Sequence, residues 1–275
     1  MKIKKLLFFL LFFSTFLVAN DNTINIGIAP HSSTRVILET HQDLRVFFEK
    51  YFQRPVQIVT AKSFSEFAQR SNQGDYYDLL LTSPNLALLA QKYGGYTPLL
   101  TYTKGLTSVI IAKDKDILKN KKYPFKVIGL DPVSFATLTA EEWLESQGLY
   151  EGKEINFTYT SASDSAAATI LLNNQADMSI ISLPNYLKLS DEMKNSISLI
   201  YQSSPKPSRI YLAKTTNGIT LEEWKKALDA FSKSPEGLAH LEVTKLEGFR
   251  ETKTDELDNL DRISAKTLQR LSNQQ

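Results

Sequence analysis
From Ile24 onward the chain repeats one pattern: a short apolar stretch, a polar turn, then a longer amphipathic stretch. Ile24 to Ala29, read as Ile-Asn-Ile-Gly-Ile-Ala, alternates as a half-buried strand does. Pro30-His31-Ser32-Ser33-Thr34 then turns into a helix whose apolar stripe is Leu44, Phe47, Phe48 and Tyr51. Val56 to Thr60 predicts a second strand, and Phe64 and Phe67 mark the next helix. Asp78 to Thr82 holds three consecutive leucines bounded by polar residues, which predicts a short buried strand. Ser83 stands where a helix cap is expected and Pro84 suits the first turn; Leu86, Leu89 and Ala90 share a face before Tyr93-Gly94-Gly95 ends the helix. Such strand-turn-helix units leave backbone N–H groups at the carboxyl end of a strand, where open α/β sheets hold ligands.

Leu99 to Tyr102 and Ser108 to Ala112 read as strands on either side of Lys104-Gly105, and the pattern restarts after the charged segment Lys113 to Lys122. Lys126 to Leu130 predicts a strand, Asp131-Pro132-Val133-Ser134 a turn, and the next helix runs through Trp143 and Leu144 to Gly148. Thr139 and Glu142 have capping-box spacing, so that helix starts anywhere from Ser134 to Thr139. Strands follow at Ile155 to Tyr159 and Met178 to Ile181, with a helix carrying Ile170 and Leu171 between them. Ile197 to Tyr201 and Ile210 to Leu212 are strands around a proline-rich connector at Ser203 to Pro207. Thr220 and Glu223 form a capping box for a helix from Leu221 to Ser232. The tail from Pro235 is helical in patches and increasingly polar, with fraying expected at its end. Repeated β-α-β units predict an α/β fold with largely parallel sheets.

A balance of 42% hydrophobic and 23% charged residues makes disorder the wrong default. The first residues read differently: Lys2, Lys4 and Lys5 precede an apolar run from Leu6 to Val18 and a small residue, Ala19. This is the pattern of a secretory signal peptide over residues 1–19, and its 13-residue run is shorter than the roughly 20 a spanning helix needs. Removing it takes three lysines from a formal net charge of +2 and leaves −1, so nothing marks a nucleic-acid partner. The chain has no cysteine, which excludes disulfides, a cysteine nucleophile and thiolate metal sites. His31, His41 and His240 are scattered with no metal-ligand spacing, and no phosphate-cradling glycine motif or nucleophile elbow is present. An enzyme, a cofactor and a metal are therefore not expected.

Four stretches, in order, carry a family resemblance: Tyr77-Asp78-Leu79-Leu80-Leu81-Thr82-Ser83-Pro84 with Gly95-Tyr96-Thr97-Pro98-Leu99; Asp131-Pro132-Val133-Ser134; Leu172-Asn173-Asn174-Gln175-Ala176-Asp177; and Ser203-Ser204-Pro205. Together they resemble the phosphate, phosphite and phosphonate family of periplasmic substrate-binding proteins. The resemblance implies a two-lobed periplasmic-binding-protein fold with a ligand cleft between two mixed, mainly parallel sheets. Lobe one would be residues 22–104 plus 205–275 and lobe two residues 105–204, with a hinge at the two crossings. The expected protein is a periplasmic monomer that captures a small oxyanion for an inner-membrane ABC permease. A membrane sensor kinase is the alternative partner.

The candidate ligand-binding residues are those at the converging turns. His31, Ser32, Ser83, Asn85 and Tyr102 lie on lobe one; Ser134 and Thr137 match the family's hydroxyl turn on lobe two, and Ser161, Ser163 and Asp164 its next turn. Ser, Asp and Asn at such positions commonly serve only as helix caps. Lys104 and Arg209 are the cations nearest the crossings. Two departures from the family pattern bear on the ligand: Asp164 stands where relatives often carry histidine, and Ser182 where they often carry an acid. A carboxylate facing a phosphonate repels it unless protonated or turned away, which leaves the ligand's charge open.

Overall fold
The computed structural model describes residues 22–119, 123–160, 168–169, 171–253 and 255–273. The amino-terminal half forms β1 (Ile24–Ile28), α1 (Thr34–Thr40), α2 (Gln42–Phe52), β2 (Val56–Val59), α3 (Phe64–Gln73), β3 (Leu79–Thr82), α4 (Pro84–Gly94) and β4 (Thr97–Tyr102). There follow β5 (Ser108–Ala112), β6 (Phe125–Gly129), α5 (Phe135–Ser146), β7 (Ile155–Tyr159), β8 (Met178–Ser182), α6 (Leu183–Leu187), α7 (Asp191–Asn195) and β9 (Ser198–Gln202). The carboxyl part adds β10 (Ile210–Ala213), α8 (Leu221–Lys233), α9 (Pro235–Thr244), β11 (Phe249–Glu251) and α10 (Asp261–Ser272).

Two sheets result. Sheet one has the order β11-β4-β10-β3-β1-β2 and sheet two β7-β6-β8-β5-β9. β1 pairs in parallel with β2 and β3, and β6 with β7 and β8, because each of these strands is followed by a helix that carries the chain back. β10 runs antiparallel to β3 and β4, β11 to β4, and β5 to β8 and β9, so the sheets are more mixed than the repeated β-α-β pattern predicts. The chain passes between the sheets twice, from β4 to β5 and from β9 to β10. These crossings are tied together where Leu106 and Lys206 exchange backbone hydrogen bonds of 3.0 and 2.8 Å. Gly105 is needed there: a Cβ would lie 2.6 Å from the Lys206 carbonyl oxygen.

Each sheet is buried on both faces. Under α1, α2, α8 and α9, sheet one packs Ile24, Ile26, Ile28, Phe48, Trp224 and Phe231. On its other face Phe67, Tyr77, Leu80, Leu86 and Ala90 pack together, and this cluster also takes in Phe135 and Leu138 of α5 and Leu257, Leu260 and Ile263 of the carboxyl part. The apolar interior is thus continuous from sheet one to the helix that follows β6. Among the described residues, no helix is long and apolar enough to cross a membrane.

One local expectation changes and two are narrowed. The single helix expected after Thr34 is broken at His41, which leaves helical geometry (φ −103°, ψ 13°); its N–H closes α1 on Ile37 O and its carbonyl opens α2 on Arg45 N–H. Ser134, not Thr139, caps α5: its Oγ accepts from Thr137 N–H, and Thr139 lies buried inside the helix. The polar tail forms β11 and the three-turn helix α10. The expected leader at residues 1–19 lies outside the described residues.

Candidate functional site
The turns after β3 and β6 meet. Asn85, fully buried in the first turn of α4, donates from Nδ2 to the Val133 carbonyl (3.0 Å) and to Thr267 Oγ1 of α10 (3.0 Å). Its Oδ1 accepts from Ser83 Oγ at 2.8 Å, so Ser83 occupies the cap position of α4 without making a cap bond. Across the seam, Ser134 Oγ donates to Thr137 Oγ1 (2.8 Å), which also accepts from Leu130 N–H (3.1 Å). Asp131 Oδ1 holds Val133 N–H at 2.8 Å, and burial raises its carboxyl above the usual range. Ser83, Asn85, Ser134 and Thr137 therefore lie at turns that meet, and their polar atoms bond chiefly to near neighbours in sequence and to backbone.

Because Asn85 joins α4, the β6–α5 turn and α10, its loss leaves a buried carbonyl and two hydroxyls short of a partner at once. Asn85→Ala is expected to lower unfolding stability by about 2 to 4 kcal/mol. Urea denaturation at neutral pH checks this, and an unchanged midpoint would show that the three-way junction contributes nothing.

A second polar group lies at the same edge of sheet one, beside the crossings. His31 is half-buried after β1, and its Nδ1 lies 2.8 Å from the Ala29 carbonyl. Its ring meets His41 edge-on at 6.1 Å, and His41 meets His240 at 5.0 Å. Tyr102 is fully buried and joins this group: its hydroxyl bonds His240 Nε2 at 2.7 Å and the Tyr211 hydroxyl at 2.9 Å. Arg209, one residue before β10, places its charge on all of them. Burial first, and then Arg209, holds His31 well below the ordinary imidazole range. Burial and the neighbouring His240 do the same to His41, and burial takes His240 down to about 4. Burial also raises the phenols of Tyr102 and Tyr211. The histidines that look scattered in sequence are neighbours in space, although their arrangement is not one that holds a metal ion.

The sequence between residues 26 and 257 matches the family model described as ABC transporter, phosphonate, periplasmic substrate-binding protein. The chain belongs to that family. No curated protein matches it in sequence. Among solved structures, this binding protein is similar to a binding component of an ABC phosphonate transporter from Pseudomonas aeruginosa. That pair is 18% identical, with 91% of this chain and 87% of the other covered and a TM-score of 0.73. PhnD1 from Prochlorococcus marinus, solved with methylphosphonate, is 15% identical, with 90% and 98% covered and a TM-score of 0.74. XAC2383 from Xanthomonas citri, solved with ATP, is 14% identical, with 92% and 98% covered and a TM-score of 0.73. At these identities the likeness establishes the two-lobed binding-protein fold.

The remaining candidates fall in different places. Ser32 is half-buried in the turn before α1, beside His31. Ser161, Ser163 and Asp164 lie outside the described residues. Lys104 pairs with Glu247 at 3.2 Å. Sequence reasoning passed over Thr82 and Ser208, two buried residues at the ends of β3 and of the second crossing whose hydroxyls find no hydrogen-bond partner. It also passed over His41, whose two ring nitrogens are both buried without one. Thr82 had a signal, being the polar end of a buried leucine strand. Ser208 and His41 had none.

Proposed function
We propose that this periplasmic binding protein closes its two lobes over a small oxyanion of the phosphate, phosphite or phosphonate class and delivers it to an inner-membrane ABC permease. The observation that carries the ligand class is the match of residues 26–257 to the phosphonate-binding family, in a chain that gathers His31, Ser32 and the β6–α5 turn at the ends of β1 and β6. In this reading lobe one is residues 22–104 plus 205–275 and lobe two residues 105–204. The Leu106 to Lys206 bridge is the hinge about which they close. The oxyanion lies between His31, Ser32 and Arg209 on one wall and the turn at 131–137 on the other; Ser161, Ser163 and Asp164 are candidates outside the described residues. Residues 1–19 direct export, the working form is a monomer, and no bond is made or broken in the ligand.

Calorimetric titration with methylphosphonate, phosphite and phosphate tests the reading. At a ligand concentration one hundredfold above Kd, the bound protein is expected to gain about 2.7 kcal/mol of stability and a higher melting temperature. Absence of both heat and melting shift with all three anions would overturn the oxyanion assignment.

A further inference from the structure
Among the described residues, the serine and threonine hydroxyls buried without a hydrogen-bond partner are those of Thr82, Thr139, Ser179, Ser208, Thr252 and Ser264. Thr139 and Ser264 lie inside α5 and α10, Ser179 in the middle of β8, and Thr252 just after β11. Thr82 and Ser208 stand elsewhere. Thr82 is the last residue of β3, and Ser208 lies two residues before β10, whose first residue, Ile210, pairs with Thr82. Both are therefore at the end of sheet one where the chain crosses from sheet two.

Strand alternation fixes the direction of Thr82. Leu79 and Leu81 face the cluster under α2 and α8, so Leu80 and Thr82 face the opposite side of the sheet. On that side Ala29 and Ile210, the neighbours of Thr82 at the end of β1 and on β10, share an apolar cluster with Phe135 and Leu138 from the first turn of α5. The Thr82 hydroxyl thus faces the seam that the Ser134 turn borders from the other side. Ser208 is 1% exposed and follows by two residues Lys206, whose backbone bonds to Leu106 tie the crossings.

We infer that Thr82 and Ser208 are a pair of hydroxyls that donate to the captured oxyanion from sheet one, opposite the Ser134 turn. The inference rests on the oxyanion reading above and adds two residues to its site. A hydroxyl has one hydrogen and two lone pairs, so it turns its hydrogen to a ligand oxygen and keeps its proton. Opening about the Leu106 to Lys206 bridge uncovers both hydroxyls, and closure returns them to a dry seam, where a bond to a charged oxygen is stronger than one between neutral groups. Without such a bond, a buried hydroxyl lowers stability. The same two groups therefore cost stability and raise affinity, a combination that a merely structural hydroxyl does not produce.

The test uses the full chain and methylphosphonate, with affinity from titration calorimetry and stability from thermal melts of the ligand-free protein. Thr82→Val replaces the hydroxyl by a methyl group of the same shape. It is expected to raise the melting temperature by about 2 to 4 °C and to raise Kd about tenfold or more. Thr82→Ser keeps the hydroxyl and loses the methyl group, so it is expected to do the reverse: a lower melting temperature with Kd close to the natural one. Ser208→Ala, which removes a single oxygen, is expected to weaken binding about tenfold without lowering the melting temperature. Natural affinity in Thr82→Val and Ser208→Ala would overturn the inference and leave anion capture intact. So would a Thr82→Ser protein that binds as weakly as Thr82→Val, or a Thr82→Val protein that melts lower than the natural one, since either would make the threonine structural. Failure of the natural protein to bind methylphosphonate, phosphite or phosphate would remove the oxyanion reading and this inference with it.

Discussion

Acidifying the ligand-free protein from pH 7 to about 4 is expected to destabilise it by several kcal/mol, and the histidine group is the reason. His31, His41 and His240 are all held below the ordinary imidazole value, chiefly by burial. A group whose folded pKa is depressed contributes stability above its unfolded value, near 6.5 for histidine, and that stability is lost as the pH falls toward the folded value. For His240, lowered to about 4, the loss amounts to about 3 kcal/mol by the time the pH reaches that value. His31 and His41 add to it in the same direction. Glu256, whose carboxyl Arg250 holds low, adds a further loss; Asp131, raised by burial, opposes it. Urea melts at pH 7, 5.5 and 4.5 measure the slope. Stability that stays level across this range would mean that the three rings titrate normally and are hydrated.

His41 offers the sharper control. Its nitrogens are buried without partners, so His41→Leu removes a desolvated polar ring and replaces it with an apolar side chain. The variant is expected to be at least as stable as the natural protein at pH 7 and to lose less on acidification. A large loss at pH 7 would mean that the ring holds a hydrogen bond through water.

What the sequence made legible follows from distance along the chain. β3 was readable because Leu79, Leu80 and Leu81 are consecutive and bounded by polar residues, a short run that suits a strand buried on both faces. The capping box at Thr220 and Glu223 was readable because both partners lie within one turn. The start of α5 was ambiguous because Ser134 and Thr139 both satisfy local cap chemistry, and only the fold decides that Thr139 lies inside. For the site, Ser83, Asn85, Ser134 and Thr137 could be placed at facing turns, since each follows directly on a strand. That Asn85 bonds the Val133 carbonyl and Thr267 depends on how distant segments meet, which no local pattern encodes. The histidine group was hidden for the same reason: α9 brings His240 against His41 from the far end of the chain.

The carboxyl tail shows where local reading stops. Asp-Arg-Ile-Ser-Ala-Lys-Thr-Leu-Gln-Arg-Leu-Ser belongs to a tail read as helical in patches and increasingly polar, and what local pattern does not give is its packing: α10 places Ile263 in the apolar cluster with α4 and α5 and fixes Thr267 on Asn85. Its cations had a usable signal. Arg262, Lys266 and Arg270 recur every four residues and so share a face, as Glu141 and Glu145 do on α5. The two faces meet: Arg262 bonds Glu145, Lys266 bonds Glu145 and Glu141, and Arg270 bonds Glu141 at 2.9 Å, Glu151 at 3.0 Å and the Pro132 carbonyl at 2.7 Å. Glu141, Glu145, Glu151, Lys266 and Arg270 line a cavity of about 290 Å³ there. Matching spacings on two helices are visible in sequence, although the pairing of the helices is not.

Arg270→Ala should therefore act well beyond the last helix. Glu141 is 5% exposed and one of its carboxylate oxygens already lacks a partner, so its charge depends on Lys266 and Arg270. Removing the guanidinium leaves a buried carboxylate facing a single ammonium and strips the Pro132 carbonyl of its donor, a loss expected to reach about 3 to 5 kcal/mol. The pair itself need not be stabilising: Arg270→Met with Glu141→Met is expected to recover most of that loss, because apolar groups of similar volume remove the desolvation cost of both charges. The comparison separates two origins of the effect. If the double variant is as unstable as Arg270→Ala, the bonds to Pro132 and Glu151 matter more than the buried ion pair. If it recovers stability while small-angle scattering of the ligand-free protein shows a larger radius of gyration, the charges on α10 contribute little to folding and instead hold α5 against α4. A single-variant melt that matches the natural protein would rule out both origins, since it would mean that Glu141 is reached by solvent and needs no partner from the tail.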